Sequence, residues 1–457
     1  MYFKNKYYFL SNMAKLNTTI NYNDLQGDNV EALYQASKFT DNYTREHISK
    51  QDGYTAKKES RNYTIREDWD DVRVGIMTDL ISIKFSLPPF KYLLLSLIDV
   101  EIVEDNWWND KFWGVCKGEG ENILGKIIMS KRDELIAINK VKLKVILGDL
   151  YKGSNFNKYD YIGFTANSVT NNNGELVMGK GNALTIKQMF PHIPKELGRC
   201  VSDTFGILFV DNIFAFQSKI HYRDNGDIST IKRSIKILTD IALCNPDKSY
   251  ALPVPGIGNG NLNYDTVCYM FKDLPENVHL WKTPKLIYTG IGSRKITGEI
   301  EDVITAIAKR LSKLGFTCRT GDAKGSDTIF KDNSERVNSY LPWEKFNGSD
   351  SKFYTQPPIT KTIASFNHIG WDWLTPAVQK LMSRNVLQLL GNDVDTESDF
   401  IICYTEDGCD DYKTRNYKTT GGTGLAISLG SKIGIPIYNI GKEGAIDKIN
   451  NMLDTLS

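Results

Sequence analysis

Glu31 and Asp110 are the carboxylates in the first third of this chain whose surroundings could support bond cleavage. Glu31 sits in NVEALYQASKF (29–39), where Asn29 is a good N-cap and Val30, Leu33, Tyr34 and Ser37 share one helical stripe. Beside it Glu31, Gln35 and Lys38 line up at i, i+4, i+7 as a polar stripe. Asp110 lies in NWWNDKFWG (106–114), between Trp107 and Trp113. An N-glycosidic bond breaks through an oxocarbenium-like state, which one carboxylate can stabilise while it, or another, activates water. Tryptophan rings offer a base a surface to stack on. Spacing alone leaves a plainer account open and favours it: a solvated helix face carrying Glu31, and core tryptophans around Asp110.

The rest of the chain holds three glycine-rich loops, each after an apolar β-like run: VMGKGNA (177–183), PGIGNGN (255–261) and TGGTG (420–424). Glycine lets backbone amides come close to phosphate oxygens, and open sheets bind ligands just past their strands. The loops therefore read as cradles for nucleotide-like ligands, with Gly179, Lys180 and Gly181 in the first. Gly256, Gly258, Asn259 and Gly260 form the second, and Gly421, Gly422 and Thr423 the third. Lys180 reads as an electrostatic phosphate contact. Asp149, in LGDL after a strand-like run, could accept hydrogen bonds from the exocyclic amine of adenine, or be a simple turn residue. Asn167 and the first two loops would then bracket a diphosphate-ribose.

These residues need elements to hold them, and three segments supply them. Residues 1–137 read as helix-rich and aromatic, with a second helix opening at Asp68 and burying Val72, Ile76, Leu80 and Ile83. Residues 140–283 alternate short β runs (VKLKVILGDL, YIGFTANSV, IFAFQSK, YALPVPGIG, VHLWK) with helical patterns, which predicts a mostly parallel sheet covered on both faces. From 284 to 457 a second doubly wound pattern begins with KLIYTGIGS and a helix that Gly315 ends, and it is interrupted at roughly 331–382 by an aromatic insertion. The fold class expected is a helix-rich α+β domain followed by two three-layer α/β domains.

Composition narrows the function classes. Of 457 residues, 41% are hydrophobic and 24% charged, which is a globular balance, and the net charge of +1 leaves no global field to gather nucleic acid. Seven scattered cysteines and five histidines without metal-ligand spacing argue for a reducing compartment, no metal and no cofactor. No apolar run approaches the ~20 residues of a membrane span, and the N-terminus does not read as a signal peptide. The expected location is the cytoplasm, that of the host if the chain is viral, with no membrane partner.

YFLSN (8–12), NVEALYQASKF, REDWDDVRVGIM (66–77), KF (84–85), NWWNDKFWG and NILGKIIM (122–129) together resemble the NADAR family, in matching order across the first segment. That family is associated with cleaving N-glycosidic bonds to ADP-ribose, including ADP-ribose on guanine, and with related riboside intermediates. The resemblance puts its acid at Glu31, its lysine at Lys38 and its later acid at Asp110. The family's usual Ser-Glu-His is Val30-Glu31-Ala32 here. In the middle segment GDL, TAN, MGKGNA, MFP and PGIGNGNL resemble a macrodomain of the branch that removes ADP-ribose from DNA bases or carboxylates. That branch carries a lysine past a middle strand, which falls on Lys219; an amine there could attack the ribose anomeric carbon or assist acid–base chemistry. TGIGSR (289–294), TGDAKGSD (320–327), RNVLQLLG (384–391) and TGGTGLAISLG (420–430) resemble the Rossmann-like SLOG superfamily, near its DNA-processing-protein-A-like members. The ligand contacts this implies are Gly292, Ser293, Arg294, Asp327, Gly421, Gly422 and Thr423. The expected partners are ADP-ribose or ADP-ribosylated DNA or RNA bases, and an NAD-derived nucleotide at the SLOG-like segment; homo-oligomerisation is left open. The company of these modules suggests a phage protein countering ADP-ribosylating toxins or NAD-based defence. Sequestration of an ADP-ribose-derived signal, or single-stranded DNA binding by the last segment, are the alternatives.

Overall fold

The computed structural model describes residues 2–457. Cα proximity divides the chain into two compact units, Met1–Ile136 with Tyr340–Glu397, and Ala137–Ser339 with Ser398–Ser457.

The first unit is helix-rich, with two small strand pairs: β1 (Ile20–Tyr22) antiparallel to β2 (Leu25–Gly27), and β3 (Asp105–Asn106) parallel to β4 (Val115–Cys116). Asn29 caps the helix Val30–Ala36, its side-chain oxygen accepting the Ala32 amide at 2.8 Å. That helix is buried along its whole length, Glu31 and Gln35 included. The polar stripe thus turns inward, and the solvated-face account of Glu31 falls. The next long helix runs Trp69–Ser86 and buries Ile76, Met77, Leu80, Ile81, Lys84 and Phe85. Val72 and Ile83 are only half-buried. The buried stripe is wide because this helix packs against both Val30–Ala36 and Phe90–Ser96.

Tyr340–Glu397, which interrupts the last sheet in sequence, belongs to this unit. Its helices Pro358–Phe366 and Pro376–Leu390 pack on each other, and the former packs on Phe90–Ser96. Phe366 stands 5.3 Å from the Tyr7 ring and 5.8 Å from the Phe9 ring. Asn367 Nδ2 donates to Ser96 Oγ at 2.9 Å, and the Tyr92 hydroxyl to Asp395 O and Glu397 Oε1, both at 3.2 Å. An insertion with few partners of its own finds them in the first segment.

The second unit contains two sheets. The first comprises β5 (Ile146–Leu147), β6 (Tyr161–Ala166), β7 (Ile207–Val210), β8 (Ile213–Gln217), β9 (Tyr250–Pro253) and β10 (Val278–Lys282). Their order is β5-β10-β9-β6-β8-β7, parallel except for β7 against β8. Ile162, Phe164, Ile213, Ala215 and Ala251 build its core. VKLKVILGDL does not form one strand. The helix Ile123–Lys144 takes its first half, because Leu135, Ile138, Val141 and Val145 bury at near-helical spacing.

The second sheet is wholly parallel: β11 (Ile287–Gly292), β12 (Thr317–Thr320), β13 (Arg336–Ser339), β14 (Phe400–Tyr404) and β15 (Ile437–Asn439), in the order β13-β12-β11-β14-β15. The helix Gly298–Lys313 covers it with Ile304, Ile307, Ala308 and Leu311. Strand order reverses between β11 and β14, the switch point outside whose carboxyl ends doubly wound sheets take ligands. A helix-rich first segment and two α/β sheets make up the fold class expected. Among the described residues no helix is long and apolar enough to cross a membrane.

Candidate functional site

The first unit gathers charge under aromatic cover. Glu31 is 6% exposed; its Oε1 accepts Gln35 Nε2 at 2.8 Å, and Gln35 Oε1 in turn accepts the Ser60 hydroxyl at 2.9 Å. Tyr34, three residues on, packs between Trp69 at 5.1 Å and Trp113, edge-on, at 5.7 Å. Its hydroxyl is held protonated well beyond the ordinary range, by burial first, then by the charges of Glu31 and Asp110, against Arg73. Lys38 lies 5.7 Å from the Trp69 ring, and burial lowers its pKa while Glu31 opposes that shift. Asp110 closes a tight turn: its Oδ1 accepts the amides of Phe112 at 3.1 Å and Trp113 at 2.9 Å. Glu31, Lys38, Asp110 and Trp113 therefore belong to one electrostatic neighbourhood. Trp107 stands apart from it, 63% exposed with Lys4 Nζ 3.8 Å over its ring.

One member escaped the reading of the sequence. Glu104 Oε2 is buried without a hydrogen-bond partner, tucked so close to Gly114 that a Cβ there would stand 3.1 Å away. Its backbone is fixed on both sides, Glu104 N–H donating to Asn122 Oδ1 at 3.0 Å and its carbonyl accepting from Val115 N–H at 2.8 Å. Burial pushes its carboxyl up to about 7; Asp110 and Glu31 add to the rise, and Lys57 opposes it. EIVED carries no spacing signal that separates Glu104 from its acidic neighbours. Trp69, by contrast, was legible as the aromatic residue opening its helix.

The second unit holds a cleft of about 980 Å³. Asp149, Asn167, Gly179, Lys180, Gly181, Lys219, Gly256, Gly258, Asn259 and Gly260 all line it. Residues from four separate stretches of sequence thus converge on one cavity past the ends of β6, β8 and β9. The glycines divide by role. Gly181 (φ +57°) begins the helix Gly181–Met189, and Gly256 (φ +78°) turns where a Cβ would come 2.7 Å from Leu262 Cδ1. At Gly179 and Gly258 a Cβ would meet no protein atom within 4 Å, so the space they leave belongs to the cleft. Asn167 spends its amide on the loop beneath, donating to Val177 O at 2.8 Å and accepting from Val169 N–H at 2.9 Å. Asp149 is exposed, its Oδ1 accepting only the Tyr151 amide at 3.0 Å. Lys219 Nζ donates to Asp224 O at 2.6 Å and to Asn259 O at 3.3 Å, and partial burial lowers its pKa while Asp224 opposes the shift. Tyr222 and Arg223 also line the cleft and were passed over.

At the second sheet Gly292 ends β11, and a Cβ there would fall 2.6 Å from both Ser326 Oγ and Tyr404 O. Asp327 is turned inward. Its Oδ1 accepts Gly292 N–H and its Oδ2 accepts Gly321 N–H, both at 3.2 Å, so it ties the loops after β11 and β12 together. Ser293 Oγ accepts the Lys295 amide at 3.0 Å, and Arg294 is exposed at the switch point. Gly421, Gly422 and Thr423 lead into the helix Thr423–Ile433. Asp407 anchors that loop by accepting the hydroxyls of Thr419 at 2.7 Å and Thr420 at 2.5 Å. Arg415, also unforeseen, is buried against Gly424 and donates to Ser428 Oγ at 3.0 Å.

Comparison with known proteins adds three findings. The NADAR domain model matches residues 1–136. Riboflavin biosynthesis protein VVA0006 of Vibrio vulnificus is 38% identical over 110 residues, 23% of this chain and 30% of that protein, so less than a third of that relative's length is shared. Among solved structures, E. coli YbiA aligns at 29% identity over 31% of this chain and 86% of its own, with a TM-score of 0.28. The macrodomain of Thermus aquaticus DarG aligns at 25% identity over 31% of this chain and 96% of its own, with a TM-score of 0.26.

Proposed function

We propose that this chain hydrolyses the N-glycosidic bond joining ADP-ribose to a nucleic-acid base, guanine foremost, in its first unit, and that the cleft of the second unit binds ADP-ribose. The observation that carries the reading is the buried group of Glu31, Asp110 and Glu104, with Lys38 and Lys57 beside it, inside the segment matched by the NADAR model. As the bond from the anomeric carbon to the base nitrogen breaks, its electron pair leaves with the base and positive charge grows on the ribose. Glu31 faces that charge and orients the water that adds to the anomeric carbon; Glu104 is the proton reservoir behind Asp110 that balances the departing base. Trp113 and Trp69 supply stacking surface. The test is mass spectrometry of oligonucleotides ADP-ribosylated on guanine or on thymine after incubation with the full chain. Release of ADP-ribose with an intact oligonucleotide is expected. No mass change on either substrate sinks the glycosidase reading.

A second reading applies to the cleft alone: capture without turnover. The lysine nominated as its catalyst has its amine engaged by two backbone carbonyls, Asp224 O and Asn259 O. At the second sheet, Arg294 and the Gly421–Thr423 helix start suit a nucleotide-derived ligand, since helix N-termini and guanidinium forks both favour phosphate. The division into modules at 1–137, 140–283 and 284–457, and a role against ADP-ribosylating toxins or NAD-based defence in a phage-infected cytoplasm, belong to the same reading.

A further inference from the structure

The wall of the cleft next to Lys219 carries an exposed aromatic layer with no packing duty. Tyr222 is 41% exposed, and its ring lies nearly parallel to that of His221, at 4.4 Å between centroids and 28° between planes. Arg223 holds its guanidinium 5.5 Å from the same ring. The turn that presents them is fixed rather than loose. Ser168 N–H donates to Ile220 O at 2.8 Å, Asp224 N–H to His221 O at 3.1 Å, and Arg223 N–H to His221 Nδ1 at 3.2 Å. Lys219, just before this turn, is pinned to its far end through Asp224 O. A large ring held out at a cavity mouth costs apolar exposure, and no core neighbour repays it.

We propose that Tyr222 and Arg223 form the platform for the group attached to the distal ribose, and that this group is a nucleobase of a nucleic-acid strand. The inference rests on the reading of the cleft as an ADP-ribose site. A base presents a π-face to Tyr222, and its flanking phosphate presents anionic oxygens to Arg223. A glutamate or aspartate acceptor would bring no ring, and it would leave the His221–Tyr222 stack without a function. Such stacking tolerates any base, so the platform selects the class of acceptor and not its identity.

The test is equilibrium binding to the full chain carrying Glu31→Gln and Lys219→Ala, so that bound probes are not consumed. Three probes are compared: ADP-ribose, a short oligonucleotide ADP-ribosylated on one base, and a peptide ADP-ribosylated on glutamate. Binding removed by a further Gly258→Val defines the share belonging to the cleft. The oligonucleotide should bind there more tightly than ADP-ribose, and Tyr222→Ala should weaken it about tenfold or more. Tyr222→Phe should preserve that affinity, and neither change should alter ADP-ribose or the peptide. An equal loss for ADP-ribose would overturn the platform, placing adenine on this ring instead. An oligonucleotide indifferent to Tyr222→Ala would overturn it as well. If ADP-ribose does not bind the chain with Tyr222 in place, the reading of the cleft fails, and the platform falls with it.

Discussion

Replacing Glu104 by glutamine isolates the cost of holding a carboxyl away from water beside two others. The side chain keeps its shape and loses its charge. In the folded chain the carboxyl is raised from its ordinary 4.5 to about 7. At about 1.4 kcal/mol per pH unit, its ionised form therefore costs the fold about 3 kcal/mol. Between those pH values the folded state binds more protons than the unfolded one, so stability falls as pH rises through this window. The contribution is fully present below 4.5 and gone above 7. Glu104→Gln lacks this term, so its unfolding free energy relative to the parent should swing in its favour by up to about 3 kcal/mol from pH 4.5 to above 7. Urea titration followed by tryptophan fluorescence reads the relevant unit, because seven of the eight tryptophans lie in it and only Trp281 does not. Turnover should move the other way and drop, since the amide cannot supply a proton. A stability difference that stays flat with pH would refute the account of Glu104.

Glu31→Gln should lower base de-ADP-ribosylation by two or more decades with an unchanged melting curve, measured by mass spectrometry and calorimetry; full activity would remove Glu31 from the mechanism. Gly258→Val should leave the melting temperature alone and weaken ADP-ribose by roughly tenfold or more, as its side chain enters open cleft. Gly256→Val should instead lower stability by about 1–3 kcal/mol, from a positive φ and a clash with Leu262. Arg294→Ala with Gly422→Val should abolish thermal stabilisation of the full chain by whichever of NAD, ADP-ribose, cyclic ADP-ribose isomers or short single-stranded DNA shifts its melting temperature. Persistence of that stabilisation would move the ligand elsewhere.

By itself the sequence determined the elements and the loops. Alternating β runs and helical stripes are local patterns, and β6, β8, β9, β10, β11, β14 and β15 all fall where those patterns lie. The glycine loops were legible for the same reason, since a turn with φ > 0 or a close backbone approach demands glycine whatever surrounds it. Their convergence with Asp149 and Lys219 on one cleft follows from parallel strands delivering their carboxyl ends to one edge of a sheet. Direction of burial was decided only by tertiary packing. Glu31, Gln35 and Lys38 have the spacing of a solvated stripe, yet the elements packed around Val30–Ala36 bury Glu31 and Gln35. Val141 alternates with lysines like a strand residue, yet it buries in a helix because its partners recur three and four residues away. The insertion Tyr340–Glu397 has its partners in the first segment, which no local pattern encodes. Glu104 owes its raised pKa to burial and to charges brought near by the fold, and Asp327, nominated for a ligand, spends its carboxylate on two backbone amides. Residue type and spacing are properties of the chain, but desolvation and charge proximity exist only once distant segments meet.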